Sequence, residues 1–207
     1  MRFYERFLKK APKQSRSRTL VESVLSAATE LVGRTKDEEE VTIQAVAERA
    51  GVGVGSLYDY FNDRGSVFTS LAAKLSEDNL RRFEAELESC RTKSLEETVR
   101  RIVDLLFDTY LVDVKTPRVI LRITHRANLM PLLAHNHAVF ARSLATFLKE
   151  RDDVGTTNID ATAYVMTNMA MGVILTLVWA NDPPFSNEEM RKELARSCHA
   201  MLAKPAA

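Results

Sequence analysis

A glycine-rich stretch, AGVGVGSLYDYF from Ala50 to Phe61, constrains the fold of this chain more than any other feature. Before it, the segment TIQAVAERA places a threonine ahead of apolar residues at helical spacing, so Thr42 is predicted to cap a short helix. Gly51 is predicted to end that helix, because glycine adopts the positive φ of a tight turn without strain. A second short helix is expected from about residue 53 to residue 60. Two short helices joined in this way predict a helix-turn-helix.

A phosphate-binding loop is the alternative interpretation of these glycines. A dinucleotide fingerprint requires a strand before the glycines and a third glycine in the pattern G-x-G-x-x-G. Here a segment of helical character precedes Gly51, the position of the third glycine is occupied by Ser56, and no Walker lysine follows. The required context is missing, so no nucleotide cofactor is predicted.

The rest of the chain predicts helices throughout. The 207 residues include only 7 glycines and 6 prolines, and long stretches are rich in Ala, Leu, Glu and Arg. Helix starts are indicated by capping boxes that begin at Ser94 and Ser186, and by Thr116 followed by Pro117. The expected fold class is all-α, with an N-terminal three-helix helix-turn-helix domain and a larger helical bundle. We predict a basic arm at residues 1–14, the helix-turn-helix domain at 15–65 and the bundle at 66–207.

Charge is distributed unevenly along the chain. The formal net charge is only +1, but residues 1–20 carry several lysines and arginines against a single acid, Glu5. This basic arm is expected to be solvated, and nucleic acid or an anionic membrane are its candidate partners. The acidic run from Asp37 to Glu40 is expected in a solvated loop that faces away from any nucleic acid.

The stretch TIQAVAERAGVGVGSLYDYFNDRGSVF, from Thr42 to Phe68, resembles the DNA-binding signature of TetR-family transcriptional regulators. The resemblance implies that the second helix of the motif enters the major groove of a double-stranded DNA operator. It also implies a homodimer that binds a palindromic site, acts most often as a repressor, and is released by a small-molecule effector. Together with the basic arm, it gives these candidate DNA-binding residues: Arg16, Arg18, Thr42, Gln44, Gly53, Val54, Gly55, Ser56, Tyr58, Tyr60 and Arg64.

Several positions match the family pattern. Ser56 stands at its usual hydroxyl position, and Tyr58 at its phosphate-contacting tyrosine. Tyr60 stands where the family often has histidine or tyrosine, and Arg64 replaces the usual lysine at the start of the fourth helix.

Other positions depart from it. Gly53 stands where serine is favoured and Val54 where a polar residue is common, so the start of the helix offers few donors to bases. Asp59 is predicted to point away from the phosphates or to accept from a cytosine amino group. We therefore expect Arg16 and Arg18 to supply affinity that this helix lacks.

The bundle is expected to hold a small apolar effector and a dimer interface. Candidate pocket residues are the aromatic and long apolar side chains, with one histidine that is expected to be partly buried. They are Phe107, Tyr110, Leu111, Leu121, His125, Met130, Phe140, Phe147, Tyr164 and Met166. A long apolar helix that begins at Asn158 or Asp160, followed by a last helix, is predicted to form the interface. The candidate interface residues are Met169, Gly172, Val173, Leu177, Trp179, Met190 and Leu194.

Other chemistry is not predicted. The letters HNH at 135–137 place two histidines at i and i+2, which point about 200° apart on a helix, and no acidic or cysteine partner lies nearby. Cys90 and Cys198 lack metal-ligand spacing and are interpreted as reduced thiols. We expect no metal, no cofactor and no catalytic residues.

The sequence predicts a cytoplasmic protein without a membrane partner. No apolar signal-peptide region is seen near the N-terminus, and the apolar stretch from Met169 to Ala180 is shorter than the about 20 residues that cross a bilayer. Two other functions stay open at this point. One is a small helical enzyme or cofactor carrier, and the other is an interaction module whose helix-turn-helix does not read DNA.

Overall fold

The computed structural model describes residues 2–35, 40–126 and 130–204, and within these ranges the chain is built from helices. A short 3₁₀-helix lies at Phe3–Phe7. The α-helices are α1 (Ser15–Arg34), α2 (Ile43–Ala50), α3 (Val54–Tyr58), α4 (Arg64–Ser89), α5 (Leu95–Leu111), α6 (Lys115–Arg126), α7 (Met130–Lys149), α8 (Ile159–Trp179) and α9 (Asn187–Leu202). An isolated antiparallel bridge joins Val154 to Ala203. The expected all-α fold is confirmed.

The chain divides into two compact units. Unit 1 comprises Met1–Asp78 and Asp113–Met130, and unit 2 comprises Asn79–Val112 and Pro131–Ala207. Unit 1 therefore continues past residue 65 into α4 and includes α6. The boundaries of the functional domains, at residues 14 and 65, stay a prediction.

The core of unit 1 is built around α1. Apolar side chains at helical spacing, such as Val21, Val24 and Leu25, are fully buried there. They pack with buried residues of α2, α3 and α4, and α6 adds Val119 and Ile123 to the same cluster. Between α1 and α2, Arg49 Nε donates to Glu30 Oε2 at 2.8 Å. That hydrogen bond lowers the pKa of the Glu30 carboxyl.

The N-terminal segment is not the solvated arm that its charge predicts. Tyr4 is only 2% exposed and belongs to the core of unit 1, and Phe3, Phe7 and Leu8 pack against it. The Phe3 and Phe7 rings meet edge to face at 5.7 Å. Burial of these side chains favours order, because aromatic rings remove a large apolar area from water. We call residues 2–10 the N-terminal strap.

Two polar contacts hold the start of the strap in unit 1. The backbone N–H of Phe3 donates to Glu77 Oε1 at 2.7 Å. Arg2 Nη1 donates to Glu22 Oε1 at 2.5 Å, although both side chains of this ion pair are substantially exposed. The strap therefore contacts both α1 and the middle of α4.

Unit 2 packs α5 against α8 and α9. The helix starts follow the predicted signals: the side chains of Ser94, Asn158 and Ser186 each accept a backbone N–H of the first turn. In α9 the capping box is complete, because Glu189 also accepts from the backbone of Ser186. Of the two alternatives for the start of α8, Asn158 is the cap.

The predicted start of α6, which lies in unit 1, was wrong. The helix begins at Lys115 rather than after Thr116, because Asp113 Oδ1 accepts the Lys115 backbone N–H at 3.1 Å and opens the helix early. Pro117 consequently lies inside the first turn, where its missing N–H leaves no helical hydrogen bond unmade.

α8 is long and apolar enough, by length and composition, to cross a membrane. Its 21 residues contain an 18-residue window with a mean hydropathy of 1.6, of which 22% is buried within the chain. The apolar stretch Met169–Ala180 is only the second half of this helix, which starts ten residues earlier, at Ile159, so the prediction that it is too short to cross a bilayer was wrong.

Candidate nucleic-acid interface

The turn between α2 and α3 has the geometry that the sequence predicts. The Thr42 side chain accepts the Ala45 backbone N–H at 3.1 Å and caps α2. Gly51 adopts φ 67° and ψ 31°, the left-handed conformation, and ends the helix. Its backbone N–H donates to Glu48 O at 3.1 Å, and that of Val52 donates to Ala47 O at 3.0 Å. The carbonyls at the end of α2 are therefore paired within the turn.

α3 buries one face and exposes the other. Leu57 and the following Phe61 are fully buried in the core of unit 1. Gly53, Gly55 and Ser56 are exposed at the start of the helix, and Tyr58 is 43% exposed at its end. This leaves an outward surface with little bulk, free to approach a large partner closely.

Three candidate residues, Val54, Tyr60 and Arg64, are only partly exposed. Val54 and Tyr60 are half-buried and pack against the core of unit 1. The Val54 side chain lies beside the fully buried Leu57, three residues further along α3, and packs against the same core. Only part of each side chain remains for contact with DNA.

A lysine that the sequence did not single out as a contact lies beside the end of α3. Lys10 Nζ is 4.8 Å from the centroid of the Tyr60 ring and 3.8 Å from Asp59 Oδ1. The backbone N–H of Lys9 donates to Tyr60 O at 2.8 Å. Asp59 thus has a cation next to it, in addition to the two roles predicted for it. The run of basic residues at 9–13 was the available signal, but nothing in the sequence pairs it with residues 59 and 60.

The remaining candidate cations and polar residues lie on the same unit. Arg16 and Arg18 are exposed in the first turn of α1, and Arg18 Nε donates to Pro12 O at 3.4 Å. Gln44 is exposed near the start of α2. The Arg64 guanidinium lies 5.3 Å from the centroid of the Phe68 ring. Unit 1 therefore carries every candidate DNA-binding residue.

The predicted pocket residues do not form one set. Leu121 and His125 belong to unit 1, and His125 is exposed rather than partly buried, because it lies on the face of α6 opposite the packed Ile123. Tyr164 is 49% exposed on α8. The Met130 side chain lies outside the described part of the structure. We therefore remove His125 from the candidate pocket.

The other pocket candidates lie in unit 2. Phe107, Phe147 and Met166 are buried, and Leu111 is half-buried. The half-buried Phe140 ring meets the Phe83 ring at 5.3 Å.

Tyr110 is held by a polar contact from α4. Asn79 Nδ2 lies 3.5 Å from the Tyr110 hydroxyl oxygen, and burial raises the pKa of Tyr110. A shallow depression of about 120 Å³ also lies on this unit, lined by Tyr164, Arg142, Asp160 and alanines of α7. This volume is below the roughly 300–1,000 Å³ of typical ligand pockets.

Three of the seven dimer candidates, Met169, Gly172 and Trp179, lie on one stripe of α8, together with Val165 and Thr176, which the sequence did not single out. Val165, Gly172, Thr176 and Trp179 are exposed and Met169 is half-buried, at a spacing of four and three residues. The opposite face, which includes Ile174 and Val178, is buried within unit 2. Val173, Leu177 and Met190 are half-buried. Leu194 is a wrong candidate, because it is only 4% exposed and belongs to the interior of unit 2.

The histidines show no metal-binding arrangement in the described ranges, where no group of three or more His, Cys, Asp or Glu side chains is placed to hold an ion. His137 Nδ1 lies 3.1 Å from Asn168 Oδ1, so the ring hydrogen-bonds between α7 and α8. His135 is exposed.

Comparison with known families gives two matches. Residues 24–71 match the family "Bacterial regulatory proteins, tetR family". Residues 94–202, more than half of the chain, match "Tetracyclin repressor-like, C-terminal domain". No match was found among curated proteins.

Solved structures of the same fold include a TetR-family transcriptional regulator from Mesorhizobium loti MAFF303099. It is 16% identical, covers 91% of this chain and 97% of its own, and has a TM-score of 0.71. A TetR-family regulator from Pectobacterium atrosepticum is 14% identical over 94% of this chain and 100% of its own, with a TM-score of 0.73. The multidrug binding protein EbrR, complexed with imidazole, is 17% identical over 90% and 97%, with a TM-score of 0.63.

The family matches cover both the helix-turn-helix and the bundle that follows it, and the fold agrees with them along the described chain. The protein belongs to the TetR family of bacterial transcriptional regulators, with a DNA-binding helix-turn-helix and a C-terminal domain of the ligand-binding type.

Proposed function

We propose that this chain is a homodimeric, cytoplasmic repressor that reads a palindromic operator through α3 and is released by a small apolar molecule bound in unit 2. The observation that carries the proposal is the exposed face of α3. It presents two glycines, the Ser56 hydroxyl and the Tyr58 hydroxyl without a bulky side chain at the start of the helix.

That face suits a major groove for a steric and an electrostatic reason. Glycine at positions 53 and 55 lets the backbone approach base edges and phosphates closely. The free N–H groups at the start of a helix favour contact with phosphate. The Tyr58 hydroxyl can donate to a phosphate oxygen of the DNA backbone. The exposed part of the half-buried Val54 side chain can make an apolar contact with a thymine methyl group.

The first experiment selects bound sequences from a pool of random duplexes at two salt concentrations. We expect recovery of a palindrome with half-site centres about 34–36 Å apart. Tyr58→Phe should weaken binding to operator and to unrelated DNA alike, whereas Val54→Ala should change base preference. Tyr164→Phe is the matched control, because Tyr164 has a similar exposure but lies on α8. Salt-sensitive retention without any recovered site would instead favour an interaction module that does not read sequence.

A homodimer through α8 is proposed from the exposure of its apolar stripe. The spacing of four and three residues from Val165 to Trp179 is the spacing at which helices pack side by side. A Cβ placed on Gly172 would meet nothing within 4 Å in the chain, so a partner helix has room to approach there. α8 is apolar but little of it is buried within the chain, and a second copy of the chain would bury its exposed apolar side chains.

Sedimentation velocity tests this interface. Val165→Glu places a charge on the stripe and should shift the chain towards monomer. Val112→Glu is the matched control, since Val112 is 81% exposed and lies off α8. A dimer that tolerates Val165→Glu as well as Val112→Glu would place the interface elsewhere.

An apolar effector is proposed from the half-buried aromatic side chains of unit 2. Phe83 and Phe140 are half-buried and their rings meet, and Tyr110 is half-buried elsewhere in the same unit, so a ligand could displace these side chains without opening the fully buried core. EbrR, of the same fold, is described as a multidrug binding protein, and we extend small-molecule binding to this chain. Release from DNA requires that the ligand favour the non-binding conformation, by about 1.4 kcal/mol for a tenfold loss of affinity.

The dye anilinonaphthalene sulfonate is a suitable probe for this surface. We expect saturable fluorescence enhancement that Phe140→Ala reduces and that Phe185→Ala, a substitution of a 57% exposed ring, does not. Compounds that displace the dye are then screened for release of DNA. Equal dye binding by both variants would move the effector site away from Phe140.

A further inference from the structure

The N-terminal strap meets the DNA-binding helix at the far end of α3. The Lys9 N–H donates to Tyr60 O at 2.8 Å, and the next side chain, Lys10, lies over the Tyr60 ring and beside Asp59. These three contacts join residues that are about fifty positions apart in sequence. They place one ammonium group and one carboxylate at the edge of the proposed DNA-reading face.

Asp59 is unfavourable at that edge. It directly follows Tyr58, the candidate phosphate contact, and its side chain is 63% exposed. A carboxylate next to the phosphate backbone repels it, because duplex DNA carries one negative charge per about 1.7 Å of its axis. The Lys10 ammonium lies 3.8 Å from this carboxylate and reduces that repulsion.

The segment that carries Lys10 is ordered in the absence of DNA. The strap is anchored by the buried Tyr4 ring and by the hydrogen bond from Phe3 N–H to Glu77. Its backbone is held again by the Lys9 hydrogen bond, so the backbone at Lys10 is placed next to Tyr60 on folding rather than on binding. A pre-ordered charge loses less conformational entropy on binding than one on a free arm.

We propose that Lys10 is a positioning residue for DNA binding, which neutralises Asp59 and holds it away from the phosphates, and that the strap serves to present it. This inference rests on the proposed reading of DNA through α3. Lys10 acts through Asp59, and the arm does not work as a mobile tail.

A double-mutant cycle tests the coupling. Lys10→Ala, Asp59→Asn and the double variant are titrated against a mixed-sequence duplex of about three helical turns at low salt. Lys10→Ala should weaken binding roughly three- to tenfold in the wild-type background. With Asn at position 59, removing Lys10 should change affinity by less than about twofold, and Lys10→Arg should retain wild-type affinity.

An equal loss from Lys10→Ala in both backgrounds would overturn the proposal and make Lys10 a direct phosphate contact. No loss in either background would overturn it as well. The same substitutions at Lys149 and Asp160 in unit 2 are the matched control. The exposed fractions of these side chains, 52% and 68%, resemble the 54% and 63% of Lys10 and Asp59. Failure of the wild-type chain to bind any duplex would refute the proposed function itself. Thermal melting of each variant separates these effects from loss of fold.

Discussion

Gly51 and Gly55 should respond in opposite directions to the same substitution. Among the described residues, Gly51 is the glycine with a positive φ, and an added Cβ there would meet no atom within 4 Å. The cost of Gly51→Ala is therefore backbone strain alone, about 1–2 kcal/mol for an L-residue in the left-handed region. Gly55 lies inside α3, and a Cβ there also meets nothing. Gly55→Ala should stabilise the fold by up to about 1 kcal/mol.

Thermal denaturation followed by circular dichroism measures both effects on the full chain. At about 2–4 °C per kcal/mol for a chain of this size, Gly51→Ala should lower the Tm by roughly 2–8 °C. Gly51→Asn should lower it less, because asparagine tolerates this conformation better. Gly55→Ala should keep or raise the Tm. If Gly51→Ala has the Tm of the wild type, or if Gly51→Ala and Gly55→Ala lower the Tm equally, the turn does not require the left-handed conformation.

Three further outcomes follow from other contacts. Tyr4→Ala should destabilise the chain by about 3–5 kcal/mol in urea unfolding, because the Tyr4 ring fills part of the core. Tyr4→Phe keeps the ring and should cost under about 1.5 kcal/mol. A mild effect of Tyr4→Ala would mean that the strap is not packed. Burial raises the pKa of Cys198 from 9.0 to about 11. Near pH 8 its thiolate population is therefore about a hundredfold lower than in the unfolded chain, and a thiol reagent should modify Cys198 only after denaturant is added. The Ser186 contacts lower the pKa of Glu189 below 4.5, so this capping box stabilises the start of α9 above that pH and loses its effect as the pH falls through the lowered value. A melting curve of Glu189→Gln that keeps the wild-type pH dependence between pH 5 and pH 3 would contradict that assignment.

Local signals predicted much of the fold. The caps at Thr42, Ser94 and Ser186 and the left-handed Gly51 depend on residues within four positions of each other, so they are legible in the sequence. The start of α6 was misplaced because two local caps competed, and Asp113 rather than Thr116 opens the helix.

Long-range contacts were the part that the sequence did not reveal. Basic residues dominated the interpretation of the first ten positions, although three aromatic rings among them indicate burial. The pairing of Lys10 with Asp59 depends on how the strap crosses unit 1, which no periodicity encodes. Exposure also separated the buried Leu194 from the accessible Trp179, two residues that composition alone treats alike.

If the exposed stripe of α8 forms the proposed dimer, occupancy of the operator should depend on the concentration of the chain more steeply than linearly. Below the dissociation constant of the dimer, a twofold drop in chain concentration lowers the dimer population about fourfold. Operator occupancy follows the dimer, because one reading head alone binds weakly. If the proposed dimer forms through the Val165–Trp179 face, that face sets a threshold of expression below which the proposed operator is left open. Substitutions on the face would then move the threshold without changing any DNA contact.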